Sequence, residues 1–245
     1  MIQANCRARF TAADFDFIVR TLSTTPRDEV SLVRLLTEPD TRDQVLDHER
    51  LVAAILSHNG HLAISPQCYF YILARYVLRQ DGLDDRQLCD YVGSLLDQFS
   101  RTAQLLAPGE SAAGAPATAL PARGGVTYLS DLLLALQTAS AQQAFLLRTH
   151  VGNSALFFTG IFREAIDRRS QRRGAPDCAF YEEIGRTNFH AAARHEVARR
   201  CGLSEVLDLL AAQFRAIRLA LNKLADRLLN LDDDPAVGAG LALIV

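Results

Sequence analysis

The 245-residue chain has no Trp, one Met at its start and a single Lys, Lys223, among 26 basic residues. Its five Cys are scattered and form no Cys-x-x-Cys pair. That excludes a disulfide framework and a thiolate zinc site, and points to a reducing compartment. The net charge of −2 excludes binding of a polyanion by bulk charge alone. A membrane helix needs about 20 apolar residues, whereas the longest apolar run, 236–245, has ten. The opening MIQANCRARF lacks the apolar stretch of a secretory signal, so a cytoplasmic location is expected. Familiar chemical signatures are also missing. There is no G-x-x-x-x-G-K-[ST], no strand-flanked G-x-G-x-x-G, no H-E-x-x-H, no G-x-S-x-G and no EF-hand loop. No cofactor class is implied.

What is present is apolar mass and helix punctuation. Hydrophobic residues make up 49% of the chain, enough for a sizeable core. Alternating β-branched runs are absent, and helix starts recur instead. Thr11 with Asp14, Thr25-Pro26, Pro39-Asp40, Ser65-Pro66, Asp84-Asp85 and Ser204-Glu205 each read as the start of a helix. The expected fold is therefore all-α, a multi-helix bundle of eight to ten helices with one long internal loop. That loop is the Pro/Gly/Ala-rich stretch 107–125, which divides an N-terminal helical half, 1–106, from a C-terminal half, 126–245. The two halves carry net charges of −3 and +1, too small a difference to indicate partners.

Two helices indicate where the core lies. In 66–80, Tyr69, Phe70, Ile72, Leu73, Tyr76 and Val77 cover most of the circumference, as in a central helix. In 204–230, Leu207, Leu210, Phe214, Ile217, Leu221, Leu224 and Leu228 alternate steps of three and four. This seam suits an antiparallel bundle or, as the lesser reading, self-association with a second copy. The apolar tail 236–245 folds back on the chain or docks on a partner. Further helices are expected at 39–57, 129–148, 153–172 and 179–200. Gly152 is read as a turn glycine, Asn153 as an N-cap, and Gly160 as a point of close helix approach.

Candidate chemistry is sparse. His58 and His61 flank Gly60 and could hold a metal, with His48 upstream; a polar turn is the plainer reading. His150 could act as a general base, Arg148 as an anion clamp, Glu183 as an orienting carboxylate and His190 as a second acid or base. Helix-end charges and solvated ion pairs are the competing account of these four. Arg168, Arg169, Arg172 and Arg173 could contact nucleic acid, although no exposed aromatics interleave them and no wider basic field surrounds them. Arg42 and His48, six positions apart, resemble the R-x(4–6)-H motif of the all-helical HEPN ribonuclease family. There the Arg and His assist RNA cleavage by 2′-hydroxyl attack; here the resemblance covers seven residues and does not establish membership. The leading expectation is a non-catalytic protein that binds or regulates partners. The alternative is a hydrolase or ribonuclease-like enzyme with its pocket in the C-terminal half.

Overall fold

A computed structural model describes residues 2–58, 62–105 and 129–231. The loop at 107–125, His61 and the tail 236–245 lie outside the described residues. Every regular element described is helical: thirteen α-helices and one 3-10 turn, Arg7–Arg9. Among the described residues no helix is long and apolar enough to cross a membrane. The chain forms two compact units, Ile2–Asp97 and Gln98–Val245.

The first unit contains α1 (Ala12–Leu22), α2 (Pro26–Thr37), α3 (Pro39–Leu46), α4 (Glu49–Leu56), α5 (Pro66–Gln80) and the first part of α6 (Arg86–Leu105). Its centre is α5, which buries Tyr71, Ile72, Leu73, Ala74, Val77 and Leu78. The apolar circumference foresaw this central place. Thr11 and Asp14 form a capping box on α1. The same Asp14 is fully buried and accepts hydrogen bonds from the N–H and hydroxyl of Ser65, the residue that caps α5. One carboxylate thus fastens two helix starts together. Gly82 follows α5 at φ 78°, a left-handed conformation that favours glycine.

The second unit contains the rest of α6 and then α7 (Leu129–Ala135), α8 (Ala141–Ile161), α9 (Arg163–Arg173), α10 (Cys178–Ala193), α11 (Glu196–Arg200), α12 (Ser204–Ala212) and α13 (Phe214–Leu231). Three glycines let α8, α10 and α13 approach closely. A Cβ on Gly152 would lie 2.7 Å from the Phe189 ring, and one on Gly160 would lie 2.9 Å from Leu221. A Cβ on Gly185 would lie 2.3 Å from Phe214. Gly160 is thus the point of close approach that its sequence position suggested. Asn222 donates to the carbonyls of Thr159 and Gly160, both at 2.8 Å, and satisfies the end of α8 from α13.

Several helix boundaries differ from the expected ones, and helices are more numerous than eight to ten. Residues 149–152 are not a turn: α8 runs through them, and Asn153 is an interior residue rather than an N-cap. The missing side chain of Gly152 serves packing, not a bend. The break falls instead at Phe162, between α8 and α9. The stretch 39–57 divides at Asp47, and 179–200 divides at Arg194. In both, a histidine begins the new helix: the Nδ1 of His48 accepts from the Arg50 N–H, and that of His195 from the Val197 N–H. An accepting Nδ1 leaves the ring proton on Nε2. The stretch 204–230 divides at Gln213, yet Leu207, Leu210, Phe214, Ile217, Leu221 and Leu224 are all buried within the unit.

Candidate functional site

The four residues expected to form a pocket each meet different neighbours. Arg148 donates to Asn188 Oδ1 at 3.4 Å, joining α8 to α10. Glu183 is exposed and pairs along its own helix with Arg186, at 3.5 Å, and Thr187. His190 approaches Asp208 of α12 at 3.2 Å. Glu183 and His190 are two turns apart on α10, a rise of roughly 10 Å. His150 is half-buried and stacks on Phe99, with ring centroids 6.1 Å apart; Phe99 in turn stacks on Phe157 at 4.6 Å. Among the described residues His150 makes no side-chain hydrogen bond.

Burial lowers the His150 pKa and favours the neutral ring. The unfolded chain therefore takes up a proton at this position before the native state does. Stability conferred by the neutral ring is intact above about pH 6.5 and falls as the pH drops below it. His150→Phe keeps the stack and removes the titration. The stability of the variant is expected to exceed that of wild type increasingly between pH 7 and 5, read as urea midpoints across pH. Parallel pH curves would refute this assignment.

Of the proposed metal pair, His61 lies outside the described residues, and His58 is exposed after α4. No group of three or more His, Cys, Asp or Glu suited to a metal occurs among the described residues. Arg168, Arg169 and Arg172 are exposed on α9, and Arg173 ends it. Arg42 and His48 do not share a helix: Arg42 belongs to α3, while His48 caps α4.

The densest chemistry lies in the first unit, away from the residues singled out in the sequence. Both oxygens of Asp47, at the end of α3, accept from Arg75 of α5 at 2.8 and 3.1 Å. Both also accept from Arg86 of α6, at 3.1 and 2.8 Å. A third guanidinium, Arg79, lies 3.3 Å away. Arg75, whose side chain is only 2% exposed, also pairs with Asp84. Arg86 reaches the Asp43 backbone carbonyl at 2.8 Å. Nearby, Arg7 forks onto Asp90 through Nε at 3.0 Å and its terminal nitrogen at 2.8 Å, pairs with Asp43, and lies over the Tyr71 ring.

Burial alone would raise the Asp47 carboxyl, but the hydrogen bond and charge of Arg75, with the charges of Arg86 and Arg79, hold it below the usual range. Asp90 behaves oppositely: burial raises it despite the hydrogen bonds from Arg7. Burial also pushes the thiols of Cys6 and Cys89 up to about 12, which makes them poor nucleophiles. The lattice is a clamp of paired charges across α3, α5, α6 and the 3-10 turn. Beside it opens a cleft of about 220 Å³. Leu46, Val52, Ile72 and Tyr76 supply its apolar wall, while Asp47, Glu49, Arg75 and Arg79 supply charge.

A sequence signal for the clamp existed. Asp43 and Asp47, Arg75 and Arg79, and Arg86 and Asp90 are each four apart. That spacing places both members of each pair on one helix face. It does not reveal which face meets which.

No protein-family model, curated protein or solved structure matches the chain.

Proposed function

We propose that this is a non-catalytic, cytoplasmic protein that binds or regulates a protein partner, with α2 as part of its contact surface. The observation that carries this reading is the exposure of Val30 and Val33, 74% and 54% accessible, with Leu35 at 40%. Val30 and Val33 are one helical turn apart, on the same side of α2. Of the whole helix only Leu36 is buried. β-branched residues are worse helix formers than Ala by about half a kcal/mol, and an exposed valine returns nothing in packing. Folding alone gives no reason for two of them here; a covering partner does.

A photoreactive residue at position 33 tests this in producing cells. One discrete heavier adduct is expected, and Val30→Asp should remove it without changing the helical circular-dichroism signal. An adduct formed by the pure protein at twice its mass would identify the partner as a second copy. A featureless smear, or an adduct indifferent to Val30→Asp, would refute the reading.

The seam in 204–230 is a weaker candidate contact, since its apolar residues already serve the unit's own core. The tail 236–245 and the Arg168, Arg169, Arg172 and Arg173 row stay as subsidiary proposals for protein and nucleic acid respectively. One observation favours the enzyme reading: the half-buried ring of His150, which burial holds toward the neutral form and which makes no side-chain hydrogen bond among the described residues, is in the form a general base requires. A hydrolytic or ribonuclease activity abolished by His150→Phe, with helical content intact, would replace the binding reading.

A further inference from the structure

The cleft beside the Asp47 clamp holds two opposite charges that do not neutralise each other. Arg79 has a side chain 43% exposed, and its one ion pair among the described residues is the 3.3 Å approach to Asp47. Both oxygens of that carboxylate already accept from Arg75 and Arg86. A guanidinium has five N–H donors, so most of those on Arg79 are open to a ligand. Glu49, on the first turn of α4, lines the same cleft and has no ion pair among the described residues. Val52, Ile72 and Tyr76 give the same cleft apolar surface. Arg75, nearly fully buried and paired with Asp47 and Asp84, also lines it.

We propose that this cleft binds a small zwitterion with an apolar body, of the class of free α-amino acids with apolar side chains. The ligand carboxylate would take the Arg79 fork, its ammonium would take Glu49, and its side chain would lie on Val52 and Ile72. A net-neutral site with separated poles suits a zwitterion better than a simple anion or cation. The volume of about 220 Å³ is roughly seven times the share of one liquid water, enough for a ligand of this class. Arg79 presents the planar donor pair that a carboxylate accepts in parallel. The proposal is independent of the α2 reading: either can fail while the other stands.

Calorimetric titration of the full chain with L-leucine, L-methionine and L-phenylalanine tests it. Saturable binding of at least one is expected. Removing either pole of the tightest should weaken binding at least about tenfold. For L-leucine those analogues are leucinamide, which lacks the carboxylate, and 4-methylpentanoate, which lacks the ammonium. Arg79→Gln should erase the preference over the amide, and Glu49→Gln the preference over the ammonium-free acid. Both positions are accessible enough for the variants to fold, and the analogue comparison stands on wild type alone. No saturable binding at about 10 mM, where a millimolar Kd would be nearly saturated, would overturn the proposal. So would analogues that bind as well as the parent, or variants that leave the preferences unchanged.

Discussion

Asp47→Ala is expected to lower the stability of the first unit by about 3 kcal/mol. Removing one partner of a buried pair costs about 3–5 kcal/mol, because the charge left behind is neither solvated nor paired. Here the deletion strips Arg75, 2% exposed, of two hydrogen bonds and leaves it Asp84, itself 65% exposed, and a 4.0 Å approach to Cys89 Sγ. Arg86 and Arg79 are 27% and 43% exposed and regain water, which places the cost at the lower end of that range. By contrast Asp16→Ala breaks the exposed pair with Arg20 and should change stability by no more than about 0.5 kcal/mol. Urea unfolding of both variants separates the cases. The pH profile adds a second check. Because the folded carboxyl lies below its ordinary value, its contribution is present above about pH 4 and is lost as the pH falls through the depressed pKa. That part of the acid unfolding profile should be missing from the variant.

Gly185→Ala is the second large effect, expected to destabilise the second unit by about 2 kcal/mol. At an exposed helical site the same change would stabilise by about 1 kcal/mol, because Ala is the better helix former. Here the added methyl would lie 2.3 Å from the Phe214 ring and 3.2 Å from Ala155 Cβ. Phe214 is fully buried, so its ring has little room to retreat. Forced overlap in a packed core costs about 1–3 kcal/mol, occasionally more, and outweighs the propensity gain. Phe214→Leu should partly rescue the variant, so that the double substitution costs less than the two singles added. Strict additivity would show that Gly185 does not owe its place to that ring.

The sequence made helices legible and their contacts much less so. Thr11-x-x-Asp14, Ser65-Pro66 and the apolar circumference of 66–80 signalled local starts and the central helix of the first unit, and the structure has them there. Gly152 differs from its expected role as a turn because a glycine that admits a neighbouring ring and a glycine that turns the chain look alike in one dimension. Only Phe189, 37 positions away, distinguishes them. His48, a candidate neighbour of the His58/His61 pair in the sequence, and His195 each precede a Glu at a helix start and cap it. That repeated His-Glu pair was a signal available to find them. The Asp47 clamp stayed hidden for a related reason. Its i,i+4 spacings show only which charges share a helix face, while the partners of Asp47 lie 28 and 39 positions away.

The central functional claim is that Val30 and Val33 serve contact with a partner and not folding. The urea midpoint of the Val30→Asp/Val33→Asp double variant tests it most directly. The prediction is a stability within about 0.5 kcal/mol of wild type, as for exposed sites. A loss above about 2 kcal/mol, the scale of charges forced into a packed interior, would show that the face is already covered within the chain and would contradict the account.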